Sequence, residues 1–222
     1  MNRYDGVFTF LAVVFVSSLI LANSLVFKLF DVPLPLVGTA TLSAGILPYP
    51  VTFLVTDLVS ELYGRKRANQ LVWLGFAMSL YMLVLLQIGK WVPLSAMQSP
   101  EIQGHYLAVF GQSARAILAS MVAYLLAQFL DVRLFHFWKS LTHGRHLWLR
   151  NNGSTIISQL VDTVAVVSIL FVGTLETPAL VHVIVSSYVF KLGIALTDTP
   201  FFYLGVRLFK SIEEETIRRE RT

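Results

Sequence analysis

Arg150-Asn-Asn-Gly-Ser-Thr-Ile-Ile-Ser-Gln-Leu-Val-Asp162-Thr-Val-Ala-Val-Val-Ser-Ile-Leu-Phe171 is apolar enough to lie in a bilayer, yet carries a carboxylate in its interior. At about 100° per residue, positions three, four and seven apart share a helix face. Asn151, Thr155, Ser158, Gln159 and Asp162 fall in one narrow arc, and the opposite arc is isoleucine, leucine and valine. An ionised group at the centre of a spanning helix costs about 2.5–3.5 kcal/mol on insertion scales. The polar stripe is therefore expected to face the interior of a bundle, and the apolar arc to face lipid.

Working outward, five more runs approach the roughly 20 apolar residues that a crossing needs. The predicted spans are 7–30, 45–63, 68–92, 106–138, 149–173 and 178–208. The 222-residue chain is 55% hydrophobic and 14% charged, with mean hydropathy +0.68. Soluble domains carry about a quarter charged residues. The expectation is an all-α integral membrane protein, a six-transmembrane-helix bundle in a single domain over 1–222. The first apolar run is too long for a signal core and lacks a small-residue cleavage site, so it is expected to stay in the chain.

Orientation follows from the cations. Thirteen of the 17 lysines and arginines flank the spans on one side, from Arg3 through Arg65, Lys66 and Arg67 to the carboxyl-terminal group; Lys28 and Lys90 lie on the other side. The positive-inside rule places both termini in the cytoplasm. The basic pI of 9.4 is thereby a topology signal that points to the lipid bilayer and away from nucleic acid. Without cysteine the chain has no disulfide, thiolate–zinc or thiol chemistry.

Two regions should break helical regularity. Residues 31–50 contain Pro33, Pro35, Gly38, Gly45, Pro48 and Pro50, predicting an irregular, extended or re-entrant segment before a helix that begins near Pro50. Pro200 should kink span six near Asp198. Paired interruptions of this kind point to a transporter site.

Other spans carry polar stripes too. Span four has Ser113, Ser120, Tyr124, Gln128 and Asp131 on one face, with Arg115 nearly opposite. Span six aligns Ser187, Tyr188, Lys191, Ala195 and Asp198; Lys191 and Asp198, about 10 Å apart along the helix, cannot pair without a bend. Span two aligns Pro50, Phe53, Asp57, Glu61 and Gly64. Hydroxyls within spans mostly join helices, at about 0.6 kcal/mol per bond, and a buried ion pair can simply hold two helices together. Asp131 could pair Arg133 or cap a helix. Asp57, Asp162 and Lys191 lie deeper and read as a ligand or proton site. Glu61, Arg115, Asp131 and Asp198 are candidates for ion coupling or structure.

His136, His143 and His146 cluster after span four, but no carboxylate accompanies them at ligand spacing, so no metal or other cofactor is assigned. Walker, serine-elbow and HExxH patterns are absent from the sequence. The polar residues run along the spans and do not gather at an interface, which favours capture or passage of a solute over catalysis.

The run Pro50–Gly64 resembles the second-span signature of the queuosine precursor transporter family, also described as vitamin-uptake-like transporters. Arg115 to Asp131 is similar to that family's fourth span. Arg150-Asn-Asn-Gly-Ser154-Thr155 through Gln159-Leu-Val-Asp162-Thr163 is similar to its fifth, and Tyr188-Val-Phe-Lys191 with Thr199-Pro200 to its sixth. The resemblance covers about Asn23 to the end of span six. It implies a multi-pass protein of the cell (inner) membrane, similar in fold to substrate-binding subunits of energy-coupling-factor transporters, that imports a 7-deazaguanine precursor of queuosine or the free base.

A guanine-like edge presents two adjacent N–H donors, which a carboxylate accepts as a bidentate pair. Asp162 or Asp57 suits that role and could also carry a proton. Lys191, Gln159, Gln128 or Asn152 could donate to the neighbouring carbonyl, and Phe53, Tyr124 or Tyr188 could stack on the ring. Two other readings stand beside import. The chain could be a capture subunit needing a separate energising partner, or a structural membrane subunit that transports nothing; a homo-oligomer is compatible with each.

Overall fold

The computed structural model describes residues 3–25, 28–34, 38–110, 114–171 and 176–220. Among them, seven helices and a hairpin run in the order α1 (Arg3–Ser24), β1 (Leu29–Leu34), β2 (Gly38–Ser43), α2 (Tyr49–Leu62), α3 (Gly64–Trp91), α4 (Glu101–Phe110), α5 (Ala114–Leu141), α6 (Leu147–Phe171) and α7 (Thr177–Glu220). A 3-10 turn at Ala44–Ile46 leads into α2. Three segments are long and apolar enough to cross a membrane among the described residues: Asp5–Ser24, Gly64–Trp91 and Thr177–Ser211. Helix α6 has 25 residues, ample for a crossing by length, but its polar stripe dilutes its apolarity.

That stripe faces inward. On α6, Arg150, Asn151, Asn152, Ser154, Thr155, Ser158, Gln159, Asp162 and Thr163 are buried, whereas Ile156, Ile157, Leu160, Val161 and Val164 are exposed. A soluble amphipathic helix does the reverse. Apolar side chains also stand outward on α1, α3, α5 and α7, among them Phe10, Trp73, Leu126 and Leu196. This is a bundle whose solvent is lipid, in a multi-pass membrane protein.

Helix α2 is the central element, with Val55 through Ser60 all buried and α1, α3, α5 and α7 packed around it. Pro50 sits in its first turn, where a missing N–H costs nothing. Gly64, at φ +78°, turns the chain from α2 into α3; a side chain in that conformation costs about 1–2 kcal/mol. The apolar contacts come from Phe15 and Leu19 of α1, Val55 and Val59 of α2, Leu71 of α3, and Val132 of α5. Phe135 of α5 meets Phe202 of α7 edge-on, 6.1 Å between ring centres.

Several sequence expectations need adjustment. The segment expected to be irregular forms an antiparallel pair, with Asp31 opposite Thr41 and Pro33 opposite Thr39. Threonine and valine favour extended backbone, and in a two-stranded ribbon Pro33 can sit where no ladder N–H is needed. The bundle is therefore all-helical except for this hairpin. Run 45–63 yields a 14-residue helix, α2, because the turn and Pro48 take up its first residues. Run 106–138 divides between α4 and α5. Helix α7 continues through Pro200 and on to Glu220.

Candidate functional site: a polar column between α2, α5, α6 and α7

Phe53, Asp57 and Glu61 recur every four residues on α2, and Arg150, Ser154, Ser158 and Asp162 do so on α6. Such spacing keeps each row on one face. With α5 and α7, the two rows enclose polar groups at three depths.

The lowest level lies at the basic ends of the helices. Glu61 accepts from Lys139 Nζ of α5 at 2.8 Å and from an Arg150 guanidinium nitrogen of α6 at 2.8 Å, and Lys210 of α7 stands 3.6 Å away. Arg150 also donates to the Gly144 carbonyl at 2.9 Å and lies over the Phe135 ring. One carboxylate thus ties four helices together.

About 6 Å further along α2, four residues on, Asp57 meets Asp131 of α5. The two residues are neighbours that interact directly, and both are buried. Ser158 donates to Asp131 Oδ1 at 2.8 Å. Asp57 Oδ1 and Asp131 Oδ2 accept no hydrogen bond among the described residues.

The upper level is a cavity lined by Ile46, Tyr49, Pro50, Phe53, Thr155, Gln159, Lys191, Ile194, Ala195 and Asp198. As folded it has room of only about 20 Å³ for water-sized groups, far below the roughly 300 Å³ of small-molecule sites. Lys191 Nζ donates to Asp162 Oδ2 at 2.7 Å and stands 4.8 Å from the centre of the Tyr49 ring. The Tyr49 hydroxyl lies near Asp162. Asp162 Oδ1, Gln159 Oε1 and the Tyr124 hydroxyl are buried without hydrogen bonds among the described residues. Buried acceptors are rarely left so.

Of the residues singled out from sequence, Phe53, Gln159, Lys191 and Asp198 line this cavity, and Asp162 adjoins it through Lys191. Tyr124 lies near Asp162. Asp57 falls outside the lining, one turn beyond Phe53. Asn152 is committed to Thr199 and to the Trp148 carbonyl, joining α6 to α7. Tyr188 donates to the Ile156 carbonyl at 3.0 Å. Gln128 donates to Thr52 Oγ1 at 3.5 Å. Asp131 takes Ser158 and Asp57 for neighbours, while Arg133 is exposed. Ser113 and the side chains of Arg115 and Ser120 lie outside the described residues.

Tyr49 is not legible as a site residue in the sequence because Pro48-Tyr49-Pro50 reads as loop, although Tyr49 shares a face with Phe53 at i, i+4. Lys139, Arg150 and Lys210 are legible there only as topology charges.

Residues 43–205 match the family model described as "Putative vitamin uptake transporter". The chain is 33% identical over 180 residues to the "Probable queuosine precursor transporter" of Bacillus subtilis (strain 168), covering 80% of this chain and 76% of that protein. It is 29% identical over 147 residues to the "Queuosine precursor transporter" of Escherichia coli (strain K12), covering 64% of this chain and 61% of that one. No solved structure matches it.

Proposed function

The chain belongs to the vitamin-uptake-type, queuosine precursor transporter family, a family of transporters and not of enzymes, and on that premise we propose that it imports a 7-deazaguanine-type precursor of queuosine into the cytoplasm. The observation that carries the substrate class is the pair of unused acceptors, Asp162 Oδ1 and Gln159 Oε1, three residues apart on α6. Two acceptors side by side complement the ring N–H and exocyclic amine of a guanine-like edge. Lys191 keeps ammonium hydrogens beyond the one given to Asp162 and can donate to the adjacent carbonyl. Phe53 and Tyr49 supply ring faces for stacking, typically about 1–3 kcal/mol per base. The cavity centre admits only water-sized groups as folded, so a base must displace the Lys191 or Tyr49 side chain to seat.

In this reading the chain makes six crossings of the inner membrane with both termini cytoplasmic, and α4 leads into α5 on the outer side. The Glu61 cluster then lies at the cytoplasmic end and closes the column below the binding level. Release inward requires Lys139, Arg150 and Lys210 to part from Glu61.

The test is cellular. Cells lacking both precursor synthesis and their own uptake route should regain queuosine in tRNA when they express this chain and receive precursor. Asp162→Asn at equal membrane abundance should not restore it; full restoration would remove Asp162 from the site. Purified protein in liposomes distinguishes import from capture, since uptake without any added protein excludes an obligatory energising partner.

A further inference from the structure

Asp57 and Asp131 differ from Glu61 and Asp162, the acids below and above them in the column, and from the half-buried Asp198 in being fully buried. Glu61 has three cations and Asp162 has Lys191, whereas neither Asp57 nor Asp131 has a cation within ion-pair distance among the described residues. Each keeps an oxygen that is shut from solvent and accepts nothing among the described residues, and the two side chains are direct neighbours. Carboxylate oxygens are acceptors only. Two of them turned together therefore lack one hydrogen, which a single proton held between them supplies. Buried like charges side by side are otherwise strongly unfavourable, and carboxyl pairs that share a proton are the known resolution.

The charged groups around the pair fit a proton that moves. Arg150 of α6 faces Asp57 from below, and Glu61 follows one turn along α2. Ser154, Thr155 and Ser158 of α6 surround Asp131. Arg150 is held by Glu61 at 2.8 Å. When the cytoplasmic cluster opens, that guanidinium is freed to face an ionised pair, which favours release of the proton inward.

We propose that Asp57 and Asp131 form a proton-binding pair that couples precursor uptake to proton uptake. This rests on the importer reading. The proton binds from the outer side, forming one O–H bond shared across the pair. It dissociates to the cytoplasm in the same cycle as the precursor, and nothing is oxidised or reduced. Intramembrane acids buried without a cation are the groups from which proton relays are built.

The full chain in liposomes, with a 7-deazaguanine precursor as probe, tests the coupling. Under an inward proton gradient the parent should accumulate precursor above its outside concentration and acidify the lumen. In Asp131→Asn an amide hydrogen replaces the shared proton, so the protein should fold and equilibrate precursor, with the inside-to-outside ratio falling to one and acidification lost. Precursor that equilibrates in the parent without proton movement overturns the pair and leaves import standing. Accumulation that follows a sodium gradient also overturns it. Infrared difference spectra of the purified protein decide for or against the pair even if no precursor moves. The parent must show the carbonyl stretch of a protonated buried carboxyl, absent from both Asp57→Asn and Asp131→Asn. A parent without that band ends the proposal.

Discussion

Lys191 of α7 meets Asp162 of α6 at 2.7 Å, with the Tyr49 ring of α2 beneath the ammonium. The pair does two things at once. It neutralises two charges that neither helix could carry alone in lipid, and it leaves the second Asp162 oxygen without a hydrogen bond among the described residues, ready for a donor brought by a solute.

Removing one member should therefore cost more than removing both. Lys191→Met strands a buried carboxylate, a change that typically costs about 3–5 kcal/mol, whereas replacing both partners with apolar residues is often neutral. Thermal unfolding in detergent should place Lys191→Met well below the parent and Asp162→Leu/Lys191→Met close to it. Both should bind precursor at least tenfold more weakly. A double variant that binds like the parent would make the pair purely structural.

Phe53→Leu keeps most of the buried volume and removes the ring. Loss of one stacking face is worth about 1–3 kcal/mol, so precursor binding by calorimetry should weaken by roughly one to two orders of magnitude. Unchanged affinity would mean the base lies elsewhere.

Glu61→Gln removes the charge that Lys139, Arg150 and Lys210 share, leaving three cations to repel. The basic end of the column should loosen. Because the chain has no cysteine, a single Ser154→Cys reporter can be read without background. Its labelling by an impermeant thiol reagent from the cytoplasmic face should rise severalfold when Glu61→Gln is added. Equal labelling would show that this cluster is not what closes that end.

Gly75 of α3 faces Phe15 and Leu19 of α1 and Tyr124 of α5. A Cβ there would stand 2.5 Å from the Phe15 ring and 2.9 Å from the Tyr124 hydroxyl. Overpacking of this kind costs about 1–3 kcal/mol. Gly75→Val should lower the unfolding temperature of the purified protein, with Gly75→Ala intermediate; a Gly75→Val protein as stable as the parent would show that the helices can separate freely.

The polar stripe of α6 is readable in the sequence because a helical period in an apolar run leaves few alternatives for where polar groups point. Asp162 and Lys191 are readable individually as costly residues, but their pairing is not, since sequence gives faces and not the rotation of α7 against α6. Asp57 shows the same limit differently. Its burial is evident from its setting, yet whether it meets solute or Asp131 depends on how far α2 extends before Pro48 ends it. The hairpin is hidden because proline and glycine signal that helix stops, not what replaces it.

Helix α2, with 14 residues, is about 21 Å long, against about 30 Å of hydrocarbon. If water reaches both of its ends, most of the membrane voltage drops along this one short rod. A charge stepping past Asp57 would then traverse nearly the whole field, about 2.3 kcal/mol for each 100 mV, so the resting potential itself becomes a source of drive.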